Sequence, residues 1–259
     1  MIKIKKDNKM EWNEILDQLE TGELRAANKI DGKWVANTEV KQGILAAFKA
    51  GENIDMVDFG WPGFVDKHNI PPRKLKPEDK VRLVPGGSSI RRGSFVANGV
   101  IVMPPAYINT GAYVDSGSMV DSHALVGSCA QIGKNVHLSA AVQIGGVLEP
   151  IGASPVVIED DCFVGAGAVI VEGIQVLKGA VIAPGVILSK GTPIYDAVNE
   201  KQVTDGIIPE GAVVVPGTRP VSTKLTWAKE MGLSLSCAII VKYRDEKTDG
   251  SLQLEEFLR

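Results

Sequence analysis

Aliphatic residues recur at every sixth position from Ile90: Val96, Val102, Ile108, Val114, Val120, Val126, Ile132, Leu138 and Ile144 hold one register. After eight extra residues it resumes through Ile158, Val164, Ile170, Val176, Ile182, Leu188 and Ile194. The residue four further on is small or β-branched nearly throughout, as at Ser94, Ala106, Ala112, Ser118, Ala124, Ala130, Cys162, Ala168 and Ala180, with Leu148 and Ile174 the bulky exceptions. Glycine recurs three after the aliphatic, from Gly93 and Gly99 through Gly111, Gly117, Gly167, Gly173, Gly179 and Gly185 to Gly191, where a turn asks for positive φ.

Six residues per side are too few for a helix with its turn. A sandwich of Val-rich strands would not keep one register for over a hundred residues. The period predicts a hexapeptide parallel β-helix, three hexapeptides to a coil, with the aliphatic pointing to the axis and coils stacked ~4.8 Å apart. The seventeen marked positions amount to between five and six coils. The expected fold is mainly β, with the β-helix at 81-217. An α-helical N-terminal domain and linker precede it at 1-80, and a C-terminal strand/helix cap follows at 218-259.

Before the repeat, Trp12, Ile15, Leu16 and Leu19 share one helical face between Met10 and Leu19, and Gly22 is placed to stop that helix. Asp31-Gly32 marks a turn, Trp34-Val35 a short strand, and Thr38 the cap of a second helix carrying Val40, Ile44, Leu45 and Phe48 up to Gly51. Residues 52-80 lose all periodicity and are crowded with Pro, Gly and Lys, which predicts a linker or lid over the solenoid's open end. Beyond Ile194 a polar excursion returns at IPEGAVVVPG as one last coil. LSLSCAIIVKYR then reads as a strand and SLQLEEFL as a terminal helix.

The formal charge of −3, without a dense Lys/Arg block, argues against nucleic acid and anionic membrane as partners and leaves a small molecule. Cys129, Cys162 and Cys237 are too widely spaced for a zinc or redox pair and read as reduced, structural residues. The opening MIKIKKDNKMEW has no apolar run of signal-peptide length, so the expected location is cytoplasmic. Only two histidines, His123 and His137, fall in the repeat, too few for a three-histidine metal site, and no metal is expected. Both read as turn-proximal and are left outside the catalytic assignment.

Four stretches carry a resemblance: AANKIDGKWV, GAYVDSGSMVDSHALVGSCAQIGKNVHLSAAVQIGGVLEP, VIEDDCFVGA and CAIIVKYRDEKT. Together they resemble the tetrahydrodipicolinate N-succinyltransferases of lysine and diaminopimelate biosynthesis, whose hexapeptide solenoids wind left-handed and assemble as homotrimers. That resemblance implies succinyl transfer from succinyl-CoA to the amine of the ring-opened substrate, at sites shared by adjacent chains. The same reaction with acetyl-CoA is the first alternative, because PVVIEDDCFVGAGAVIVEG also resembles the N-acetyltransferases of this substrate. A non-catalytic scaffold is the second, and a projecting loop at GGVLEPIGASP argues against it.

An ammonium must lose a proton before it can attack a thioester. Asp121 matches the substrate-contacting acid of the family's MVD motif and is the catalytic candidate. A further family Glu, proposed as a base in some members, aligns with Val169, and the nearby Glu172 reads as a solvated acid. The two substrate carboxylates suit guanidinium forks, for which Arg82 matches a substrate-contacting arginine and Arg91 is a second candidate, while Arg92 reads as a rim charge. For the coenzyme, Gly145, Gly146, Ala166 and Gly167 permit close backbone approach, and Lys242 with Arg244 could reach its phosphates.

Overall fold

The computed structural model describes residues 10–245. Two-residue strands alternate with turns along the repeat and pair in parallel with the strand one coil away, forming a three-faced left-handed prism. Face A begins at Arg82–Leu83 and stacks Val102, Val120, Leu138, Val164, Ile182 and Val214 in register. Face B stacks Ile90, Ile108, Val126, Ile144, Ile170 and Leu188. Face C stacks Val96, Val114, Ile132, Ile158, Val176 and Ile208.

The axis is filled by the predicted aliphatics, which are fully buried apart from slight exposure at Val96. The small residues are buried beside them, and the hydroxyl of Ser118 stays satisfied there by donating to Gly133 O (2.8 Å) and accepting from Val136 N (3.0 Å). Ile194 departs from the pattern. Its strand, Ile194–Asp196, leaves the prism, pairs with Lys201–Val203 as a hairpin and runs parallel to Ser234–Tyr243. Ile207–Ile208 takes the vacated place on face C. A period of six marks an aliphatic's spacing and not its strand partner, so the excursion begins one side earlier than the count suggests. Gly191 correspondingly lacks the positive φ of the other turn glycines.

Helix α1 (Trp12–Thr21) ends at Gly22, whose φ of 78° closes it onto Leu19 O. Strands β1 (Ala27–Ile30) and β2 (Lys33–Ala36) form a hairpin, and α2 (Thr38–Ala50) follows. The cap of α2 is Asn37 rather than Thr38: its side chain accepts from Val40 N at 3.3 Å while Thr38 is already helical. The two helices bury Ile15, Leu16, Leu19, Val40 and Ile44 against Cys129 of the solenoid. Residues 52-80 hold a small hairpin, β3 (Asn53–Asp55) and β4 (Val65–Lys67), and then cap the first coil. Arg73 N donates to Ile90 O, and Gly99 N donates to Lys80 O.

At the far end Ala212–Pro220 and Ser234–Tyr243 form a long antiparallel arm tipped by α3 (Thr226–Glu230). Asp196 anchors it, accepting from Tyr243 Oη and Asn199 Nδ2, each at 2.8 Å. The expected terminal helix SLQLEEFL lies outside the described residues. Among those described, no helix is long and apolar enough to cross a membrane.

Candidate active site

Three faces meet at three edges, and the chain treats each edge differently. The B/C edge is covered along its length. α1 and α2 lie on its first coils, where a β-carbon at Gly93 would meet Leu16 and one at Gly111 would meet Ile44. Next comes the GGVLEPIGASP loop, which does not project freely. Leu148 packs on the helical core, and Lys41, fully buried on α2, donates from Nζ to Ala153 O at 2.6 Å. Above it the hairpin at 194–203 closes a cavity of about 460 Å³ lined by Glu172, Ser189, Lys190 and Thr192. There Glu172, exposed to solvent as expected, also accepts from Lys190 N (2.9 Å) and so braces the turn above it.

The C/A edge is charged and lies under the β1–β2 hairpin. Glu159 is central to it, accepting from Lys29 Nζ (2.5 Å), Trp34 Nε1 (2.9 Å) and Lys178 N (3.1 Å). Burial alone would raise its pKa, but these donors together hold it below the ordinary carboxyl value. Arg25 lies 3.6 Å over the Tyr113 ring and donates to Gln131 Oε1 at 2.9 Å, and burial lowers its pKa. A cavity of about 330 Å³ remains between these groups. This polar joint was missed in the sequence, where Arg25 and Trp34 carry no spacing signal.

The A/B edge is left uncovered by the other described residues. Asp121 opens its third turn, half-buried, with Oδ1 accepting from Ser122 N at 2.7 Å. Asp115 and Asn109 brace their own turns in the same way. Directly above Asp121, Ser139, Ala140 and Ala141 form the next turn, then Gly165, Ala166 and Gly167, then Ala183, Pro184 and Gly185. Ala166 and Gly167 are exposed, and a β-carbon on Gly167 would meet nothing within 4 Å. Asp121, Ala166 and Gly167 therefore share one smooth edge. Arg82, exposed, lies on face A two strands from Asp121.

Other candidates fall elsewhere. Gly145 and Gly146 belong to the B/C edge, where a β-carbon on the first would meet Val171 and one on the second Ser128, so they serve coil stacking. Arg91 is tied to Asp66 at 2.6 Å and to Ile70 O, holding the capping segment. Arg92 is no rim charge: it reaches Asn13 (2.6 Å), Asp17 (2.7 Å) and Asn69 O, fastening α1 to the first coil. Lys242 pairs with Asp245 at 3.3 Å, and Arg244 donates to the carbonyls of Asp161 and Gly179. His137, turn-proximal as expected, opens the face A strand His137–Leu138, with its ring 5.1 Å from that of Phe163.

A left-handed hexapeptide prism with one bare edge running from a carboxylate past a column of small residues defines a hexapeptide-repeat acyltransferase. Its two ends agree. Residues 3–50 match the model "Tetrahydrodipicolinate N-succinyltransferase N-terminal" and residues 155–190 match "Hexapeptide repeat of succinyl-transferase". A 2,3,4,5-tetrahydropyridine-2,6-dicarboxylate N-succinyltransferase of Burkholderia mallei is 48% identical over 94% of this chain and 86% of its own length. The proteins of that name from Ralstonia nicotianae and Psychrobacter sp. are 45% and 46% identical over 95% of this chain, covering 87% and 88% of theirs. The chain belongs to the 2,3,4,5-tetrahydropyridine-2,6-dicarboxylate N-succinyltransferase family.

Proposed function

We propose that this chain moves the succinyl group of succinyl-CoA onto the amine of L-2-amino-6-oxopimelate, the ring-opened form of tetrahydrodipicolinate. It does so in the cytoplasm, as a homotrimer with sites between adjacent solenoids. The observation that carries the reading is identity of 45–48% with succinyltransferases of that name over 94–95% of the chain. The exposed Leu225, Trp227 and Met231 of the C-terminal arm support a neighbouring subunit as its resting place.

In this reading the coenzyme's pantetheine arm lies along the A/B edge at Ala166 and Gly167, where no side chain blocks the backbone. Its thioester points down toward Asp121. The Asp121 carboxylate holds the acceptor's ammonium by charge and hydrogen bonding, with one oxygen on Ser122 N and the other turned to substrate. Arg82 receives a substrate carboxylate from the same face. An edge N–H of a small turn steadies the thioester oxyanion as the amine adds.

The test is thiol release from succinyl-CoA and from acetyl-CoA with tetrahydrodipicolinate as acceptor. Succinyl-CoA is expected to be the productive donor, and preference for acetyl-CoA or no release with either overturns the reading. Asp121→Asn is the informative variant. Asn109 braces its own turn through the same amide-oxygen contact, so the substitution keeps the turn and removes the charge. A loss of roughly 100-fold or more in kcat/KM is expected, and retention of activity would remove Asp121 from the site.

A further inference from the structure

The A/B edge carries a second ionisable group, at the end of the turn that Asp121 opens. His123 sits there with a φ of 63°. One, two and three coils above it, the same turn position holds Ala141 (φ 60°), Gly167 (φ 69°) and Gly185 (φ 72°). Left-handed backbone favours glycine, and an imidazole placed there works against the local preference.

Elsewhere in the prism, non-glycine residues at this position have structural partners. Cys129 is buried in the helical core, Asn135 donates to Asp161 Oδ1 at 3.2 Å, and Asp161 faces Lys178 Nζ at 3.6 Å. The His123 ring is different. It is exposed and makes no hydrogen bond, ion pair or ring contact among the described residues. Its backbone is nonetheless fixed from both sides: the N–H donates to Pro105 O at 2.6 Å, and the carbonyl accepts from Gln143 Nε2 at 3.1 Å. A rigidly mounted, unengaged imidazole thus stands beside Asp121 on the one bare edge.

We infer that His123 is the general base of the transfer. The inference rests on the proposed reaction with an amine acceptor. Imidazole is matched in basicity to neutral pH, which an ordinary carboxylate is not. The His123 ring takes one proton from the acceptor's ammonium, and the freed lone pair forms the C–N bond at the thioester carbon. The adduct loses its second N–H proton to solvent. The C–S bond then breaks, and the departing coenzyme thiolate takes the proton held on the imidazolium. One proton is released per amide formed. Asp121 holds the ammonium while His123 deprotonates it, so the two side chains divide binding and base work.

The experiment uses His123→Gly, because glycine suits the φ of 63° and leaves both backbone hydrogen bonds possible, so folding is not at stake. With succinyl-CoA and tetrahydrodipicolinate, kcat is expected to fall roughly 100-fold or more with both KM values within about twofold, and added imidazole is expected to restore turnover. Retention of kcat within about threefold, a loss confined to KM, or a kcat loss that imidazole leaves unchanged would each overturn the assignment. Failure of the unaltered protein to release thiol would overturn the parent reaction itself, which separates the two failures.

Discussion

Coil stacking in this prism tolerates no side chain at Gly127, and the cost of adding one can be worked out. A β-carbon built there overlaps the backbone nitrogen of Gly146 and comes within 2.6 Å of its α-carbon. Restoring an ordinary separation moves the two coils apart by about 1 Å. Two buried bonds cross that junction, Gly127 N to Ile144 O (2.8 Å) and Val147 N to Ser128 O (3.1 Å), and both would stretch out of range. At roughly 1–3 kcal/mol for each backbone pair left unsatisfied, Gly127→Ala costs about 4 kcal/mol. For a chain of this size that lowers Tm by about 8–16 °C.

Gly167→Ala is the control. Its φ of 69° makes alanine strained, but no atom lies within 4 Å of the new methyl, so about 1 kcal/mol and roughly 2–4 °C are expected. The assay is circular-dichroism melting of both variants at one protein concentration and scan rate. A Gly127→Ala protein melting within about 3 °C of the parent, or a Gly167→Ala protein falling as far as Gly127→Ala, would refute the stacking argument.

Two further outcomes are expected. Glu159 is held below its ordinary value in the fold, so its stabilisation is complete above the unfolded value of 4.5 and is lost as pH falls through the folded one. The Tm gap between the parent and Glu159→Gln should therefore shrink on acidification below 4.5, and a gap constant from neutral pH to strong acid would contradict the carboxylate's role. Burial pushes the Cys129 and Cys162 thiols up to about 12. Neither should be alkylated by iodoacetamide in the native protein at pH 8, whereas both should react after denaturation, and mass spectrometry of the labelled peptides decides it.

Much of the prism was legible because its core is a local pattern. Each axial aliphatic follows the last by six residues, and burial of Val120, Leu138 or Ile170 needs no knowledge of distant chain. The edges were harder, since an edge is defined by eighteen residues and not six. Grouped by eighteen within an uninterrupted run, Asp121 falls with Ser139, and Gly127 falls with Gly145. The signal that separates the coenzyme candidates was therefore present in the spacing. The joint of Arg25, Trp34 and Glu159 was not, because its members are brought together only when the hairpin folds back over face C. Arg91 and Arg92 show the same limit: adjacent in sequence and alike in charge, they fasten different segments, one through Asp66 and the other through Asp17.

Both interruptions of the repeat, at 146–156 and 189–206, fall on the B/C edge, and the A/B edge passes them without a break. That edge is consequently a ruler. Its graduations are coils of ~4.8 Å, and four of them separate the Asp121 turn from the foot of the C-terminal arm, a span of about 19 Å. In the proposed reading the acyl donor lies along this edge, so adding or removing one whole coil would change the reach it accepts by ~4.8 Å and leave the residues at either mark unchanged. On that reading, specificity for the donor's reach is a whole number.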